Sequence, residues 1–222
     1  MRVFALCAVM TLCAACGGAK TAQAPSSTSV PTTASAAEDT FSIANVARAR
    51  TSLPPGYEVS SLPADATPIA LWGLGDDWTS EPGHCAGLAE PVGVGAAVSG
   101  WSASGPGGIV YVVAATADDG VAPAVFDDCV PWSIFTDHTA ATIRFDDAPR
   151  IADVSTLGLV TDMATQVEGG TETHSRAQTF SADLGGCAAY VVVVTDPGSV
   201  GQPLAPHFAA DLLVETVAAL RG

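Results

Sequence analysis

The sequence predicts an α+β domain, an antiparallel β-sheet packed by helices, following a signal peptide and a disordered tether. Three observations predict the domain. Residues 155–181 hold two long alternating runs around Gly169-Gly170, a dipeptide able to take φ > 0 at both turn positions. The stretches "GGIVYVVAATA" (107–117) and "CAAYVVVVTDPGS" (187–199) begin as continuous apolar runs, the pattern of strands buried on both faces. The last segment, "PHFAADLLVETVAALRG" (206–222), places Phe208, Leu212, Leu213, Val217 and Leu220 on one helical face, with Asp211 and Glu215 elsewhere. Short links and repeated hairpins favour antiparallel pairing.

The chain opens on an address rather than on structure. Arg2 precedes the apolar run "VFALCAVMTLCAA", which is too short to span a bilayer as a helix. Cys13 and Cys16 have CxxC spacing, but no strand or folded domain precedes them, as a redox motif requires. The stretch resembles a bacterial lipoprotein signal: Ala14 and Ala15 precede Cys16, and Gly17 and Gly18 follow it. Cys13 stands where such signals usually carry Leu. On this reading residues 1–15 are removed and Cys16 carries an acyl chain, with ordinary secretion as the alternative. Residues 16–40, "CGGAKTAQAPSSTSVPTTASAAEDT", hold almost no large apolar side chain and read as a flexible tether. The folded domain is 41–222, one core's worth of chain.

Within it, "FSIANVARAR" (41–50) has helical spacing, stopped by Pro54-Pro55-Gly56. "TPIALWGL" (67–74) reads as an apolar strand. "TSEPGHCAGLAE" (79–90) reads as a short helix carrying Cys85, capped by Thr79 or Ser80. Residues 92–100 and 107–117 form a predicted hairpin around "WSASGPGG". A helix is expected within 120–135, ending near Cys129 before Pro131. "HTAATIRFDD" (138–147) alternates, with Ala141, Ile143 and Phe145 facing in. In the 155–181 hairpin, a two-residue loop would set Leu159 opposite Phe180 and Met163 opposite Arg176. Its tip would be a polar contact edge.

Charge narrows the function. The chain carries 8 Lys+Arg against 23 Asp+Glu, a formal net charge of −15, so nucleic acid is excluded as a partner. The acid pairs, such as Asp76-Asp77, lack the alternating oxygens of a calcium loop. His84, His138, His174 and His207 show no zinc-ligand spacing, and no glycine-rich loop joins a strand to a helix. No metal or cofactor is therefore expected. Gly100-Trp101-Ser102-Ala103-Ser104 only approaches an esterase elbow, lacking its second glycine. Trp72, Trp78, Trp101 and Trp132 lie near predicted strand ends and loops, where tryptophans either pack or line an apolar pocket. Cys85, Cys129 and Cys187 remain in the domain; an oxidising compartment favours one disulfide, with any one of the three left over.

The motifs "LPPGYEVSSLP", "LWGLGDDWTSEPGHCAGLAEP" and "CAAYVVVVTDPGS", with the final helix, resemble a family of uncharacterised mycobacterial lipoproteins. That family is similar in layout to the PknH-type extracellular sensor domain. "LPPGYE" also resembles the opening strand of the PsbP-like lipoprotein fold. The first resemblance covers 41–222 and implies a sheet with helices, a ligand cleft, and a disulfide between the positions of Cys85 and Cys129. It assigns no catalytic residue.

The expectation is a non-enzymatic cell-envelope lipoprotein on the outer face of the cytoplasmic membrane, held through an acyl anchor on Cys16. It would bind a small apolar ligand, such as a lipid, or an envelope protein, with the four tryptophans as candidate pocket residues. One rival is an envelope hydrolase using Ser102 or Ser104 with a histidine. Another is a surface protein with no ligand.

Overall fold

The computed structural model describes residues 41–63, 66–92, 95–117, 129, 131–195 and 201–222. Among these, nine strands form one antiparallel sheet: β1 (Glu58–Ser60), β2 (Thr79–Glu81), β3 (Val98–Gly105), β4 (Gly108–Thr116), β5 (Trp132–Phe135), β6 (Thr139–Asp146), β7 (Ser155–Gln166), β8 (Glu172–Asp183) and β9 (Cys187–Thr195). Their order is β1-β3-β4-β9-β8-β7-β6-β5-β2. The two continuously apolar runs are β4 and β9, adjacent near the middle, and both of their faces are covered. Val110, Val112 and Ala114 of β4, with Ala189, Val191 and Val193 of β9, point to one core. Val113 of β4, with Tyr190 and Val192 of β9, points to the other. Alternating side chains on a doubly covered strand must all be apolar, so no polar–apolar rhythm appears in the sequence there.

The first core lies under the amphipathic helix Phe208–Arg221 and a 3-10 helix at Ile43–Ser52. The second lies under smaller pieces: a one-turn helix, α1 (Pro68–Leu71), and a 3-10 helix at Gly83–Ala89. The terminal helix, α2, buries Leu212, Leu213, Val217 and Leu220 as its spacing predicts, and adds Ala209 and Thr216.

Several local expectations are corrected. The predicted strand at 67–74 is α1. Thr67 caps it, its side chain accepting from the Ala70 N–H at 3.4 Å, and Pro68 sits in the first turn. This start signal outweighed the apolar composition. The helix bearing Cys85 exists but begins at Gly83, with Pro82 as its N-cap; Thr79–Glu81 pair with β5 instead of capping it. The helix expected to end near Cys129 falls on residues that lie, Cys129 apart, outside the described residues; after Pro131 the chain enters β5, a strand the sequence reading does not include. In the β3–β4 hairpin the turn contracts to Pro106-Gly107, so Trp101 and Ser102 belong to β3 rather than to a loop.

The β7–β8 hairpin is long, as predicted, but its register is shifted by one. The Val167 N–H donates to the Thr171 carbonyl, leaving a three-residue loop, Glu168 to Gly170. Phe180 therefore pairs with Gly158 and Arg176 with Asp162. A one-residue slip moves side chains to the opposite face. Leu157 and Leu159 contribute to the second core, while Phe180 enters the first. Residues 166–174 at the tip are exposed.

Candidate functional site

Three turn segments converge at one end of the sheet. They enclose an open cleft of about 340 Å³, lined by Pro54, Pro55, Tyr57, Pro106, Gly107, Gln202, Pro203, Leu204 and Ala205. Each segment is built from proline and glycine: "PPGY" after the first 3-10 helix, "PGG" between β3 and β4, and "GQPLAP" before α2. Glycine lets them close together. A Cβ on Gly105 would lie 2.6 Å from the Tyr57 ring, and one on Gly107 would lie 2.8 Å from Leu204 and from the Tyr57 hydroxyl. A Cβ on Gly201 would sit 1.8 Å from the Pro106 carbonyl oxygen. The Gly107 N–H donates to the Tyr57 hydroxyl at 3.1 Å, fixing the phenol. Burial pushes the Tyr57 phenol above its ordinary range, and the Gly107 N–H only partly opposes that. The ring is therefore neutral at physiological pH.

Among the described residues, none of the predicted site residues lines this cleft. Its own residues were missed because proline and glycine read as punctuation in a sequence, and only the fold brings three such turns together. The four tryptophans do not share a pocket: the sheet separates Trp101 from the other three, which pack in or against the second core. Trp101 packs in the first core, and its indole N–H donates to the Val46 carbonyl at 3.1 Å. Trp72 and Trp132 are buried in the second core, with Trp78 packed against it. The Trp72 indole N–H donates to the Thr179 hydroxyl at 2.9 Å.

Among the described residues, two buried polar groups on that second face have no hydrogen-bond partner: the Trp132 indole N–H and the Thr161 hydroxyl. Both belong to one cross-strand row, since Ile143 pairs with Trp132 on one side and with Thr161 on the other. An unpaired buried hydroxyl costs roughly 1–3 kcal/mol. Thr161→Val, which keeps the volume and removes the hydroxyl, is expected to raise stability by about 1 kcal/mol. A rise in the urea midpoint checks this, and a fall contradicts it.

Cys85 and Cys129 form a disulfide, and Cys187 is free and buried. Burial raises the Cys187 thiol above its ordinary range, so it is poor in reactive thiolate. The His84 ring lies close to the two bridged sulfurs, but sulfurs bonded to each other are not thiolate metal ligands. Ser102 is largely buried in β3 and donates its hydroxyl to the Ser61 carbonyl at 3.0 Å. Cys16, the predicted acylation site, lies outside the described residues. No helix among the described residues is long and apolar enough to cross a membrane.

A family model described as a domain of unknown function, DUF5642, matches residues 42–221. The X-ray structure of a putative uncharacterised protein from Mycobacterium smegmatis, an Rv0999 ortholog, is similar with a TM-score of 0.62 at 22% identity, covering 82% of this chain and 98% of that one. The extracellular domain of PknH from Mycobacterium tuberculosis has a TM-score of 0.45 at 12% identity, covering 83% of this chain and 96% of that one. No curated protein matches the chain.

Proposed function

We propose the following role for this chain, which belongs to the DUF5642 family: a non-enzymatic cell-envelope lipoprotein whose folded domain binds a small apolar ligand or an envelope partner. Acylated Cys16 would hold it on the outer face of the cytoplasmic membrane, with residues 16–40 as the tether.

The observation that carries the binding reading is the cleft between the three proline-bearing turns. Its volume of about 340 Å³ falls at the lower end of the range of small-molecule sites, about 300–1,000 Å³. Its walls are mostly apolar, with few polar groups, which is the composition such sites share. The Cys85–Cys129 bridge supports an extracytoplasmic location, because disulfides persist where the compartment is oxidising. The anchor reading rests on the residues around Cys16. The strongly acidic composition supports a role away from nucleic acid. Ser102 and the histidines offer no assembled nucleophile, so nothing on this sheet recommends the hydrolase alternative over binding.

Two measurements test the proposal. In an actinobacterial host, wild-type protein is expected in the membrane fraction, and Cys16→Ser is expected in the medium. Retention of acylated Cys16→Ser protein in the membrane overturns the anchor. Native mass spectrometry of the detergent-purified protein is expected to show an added mass of small-molecule size. A bare protein mass in every preparation counts against ligand binding and leaves the partner alternative.

A further inference from the structure

We propose that the cleft formed by residues 54–57, 106–107 and 202–205 takes a neutral small molecule with a flat ring system and an acceptor oxygen, which the Tyr57 hydroxyl recognises. This deepens the binding reading above and rests on it.

Charge decides the first part. Of the nine described lining residues, only Tyr57 is ionisable, and a phenol is uncharged at neutral pH. An anion entering would meet no cationic side chain among the described lining residues and would approach a chain of formal charge −15. A cation would lose water and find no carboxylate among the described lining residues to replace it. A neutral ligand meets neither penalty.

Shape and rigidity decide the second. Four prolines, the Tyr57 ring and Leu204 supply the walls. Proline rings fix their own backbone φ, so these walls lose little conformational freedom when a ligand arrives. Close packing at Gly105, Gly107 and Gly201 locks the three turns against one another. An open cleft walled by proline and tyrosine rings suits a flat, inflexible guest better than a long acyl chain, which would lose its own rotamer freedom on entry.

The hydrogen-bond inventory decides the third. A phenol oxygen accepts and donates. Tyr57 accepts from the Gly107 N–H, which fixes its orientation and leaves its own proton to donate. Gln202 adds an exposed amide at the rim. The cleft therefore offers one positioned donor on an apolar wall, a match for a ring carbonyl.

The probe for the test is Nile red, which is flat, neutral and carries a carbonyl, against anilinonaphthalene sulfonate, which is aromatic but anionic. Wild-type protein is expected to bind Nile red saturably at one site and the sulfonate at least ~10-fold more weakly, a difference of about 1.4 kcal/mol. Ala205→Trp, at an exposed lining position, is expected to fill the cleft and abolish Nile red binding with its thermal midpoint unchanged. Tyr57→Phe is expected to weaken Nile red about 10-fold, the loss of one hydrogen bond in a desolvated site. Equal binding of both dyes, or Nile red binding that survives Ala205→Trp, overturns the proposal. Displacement of Nile red by a free peptide of residues 17–40 also overturns it, in favour of the chain's own tether as occupant. If neither dye binds but a ligand mass persists in native mass spectrometry, this inference falls while the binding reading stands. If both are absent, both fall.

Discussion

Replacing both Cys85 and Cys129 by alanine is expected to lower the stability of the domain by roughly 4 kcal/mol. The bridge joins residues 44 apart, and closing a loop of that length removes about this much chain entropy from the unfolded state. Its place in the fold makes the loss local as well. The second core is covered by a four-residue helix, α1, and a seven-residue 3-10 helix, neither of which holds its shape without tertiary contacts. The disulfide ties that 3-10 helix to the chain entering β5, with both half-cystines fully buried. Without it, Trp72 and Trp132 are expected to lose their fixed surroundings, so the near-ultraviolet circular dichroism should fall before the far-ultraviolet signal does. Urea unfolding of the double variant gives the free energy. Cys187→Ser is the control, since Cys187 makes no bridge and lies across the sheet. A double variant within about 1 kcal/mol of wild type would mean that the cover holds without its staple.

Much of the sheet is legible in the sequence, for identifiable reasons. The run 107–117 can only satisfy its apolar residues with both faces covered, and β4 is so covered. The alternation of Ala141, Ile143 and Phe145 survives because β6 has one buried face, with Arg144 on the other in contact with Asp162 at 2.5 Å. That ion pair is half-exposed and adds little to stability. The failures share one cause: local signals of nearly equal strength. "TPIALWGL" carries both an apolar run and a Thr-Pro start, and four residues are too few for periodicity to arbitrate. Gly169-Gly170 fits a two-residue and a three-residue loop, and only the pairing of β7 with both its neighbours fixes which. The cleft was illegible for a different reason. Tyr57, Pro106 and Leu204 are far apart in the chain, and no local pattern announces that three turns will meet.

The tryptophans give the sharpest separation between packing and site. Trp101→Ala is expected to destabilise the domain by roughly 3–5 kcal/mol, the range for deleting a large aromatic side chain from a packed core. Trp101 is fully buried on β3, against the face that receives α2 and the first 3-10 helix. Its indole N–H reaches 3.1 Å to the carbonyl of Val46, in the middle of that 3-10 helix. The substitution therefore removes a large volume and one of the bonds fastening the 3-10 helix to the sheet, and it leaves a buried carbonyl short of a donor. Trp101→Phe separates the two contributions. It keeps most of the ring volume and loses the bond, so a smaller loss of about 1–3 kcal/mol is expected. Trp78→Ala supplies the comparison, because Trp78 is only partly buried beside the second core. Its loss should be well below that of Trp101→Ala. Thermal and urea unfolding of the three variants measure this order directly. If Trp101→Ala were as stable as wild type, the indole would be lining a space rather than filling one, and the assignment of Trp101 to packing would fail.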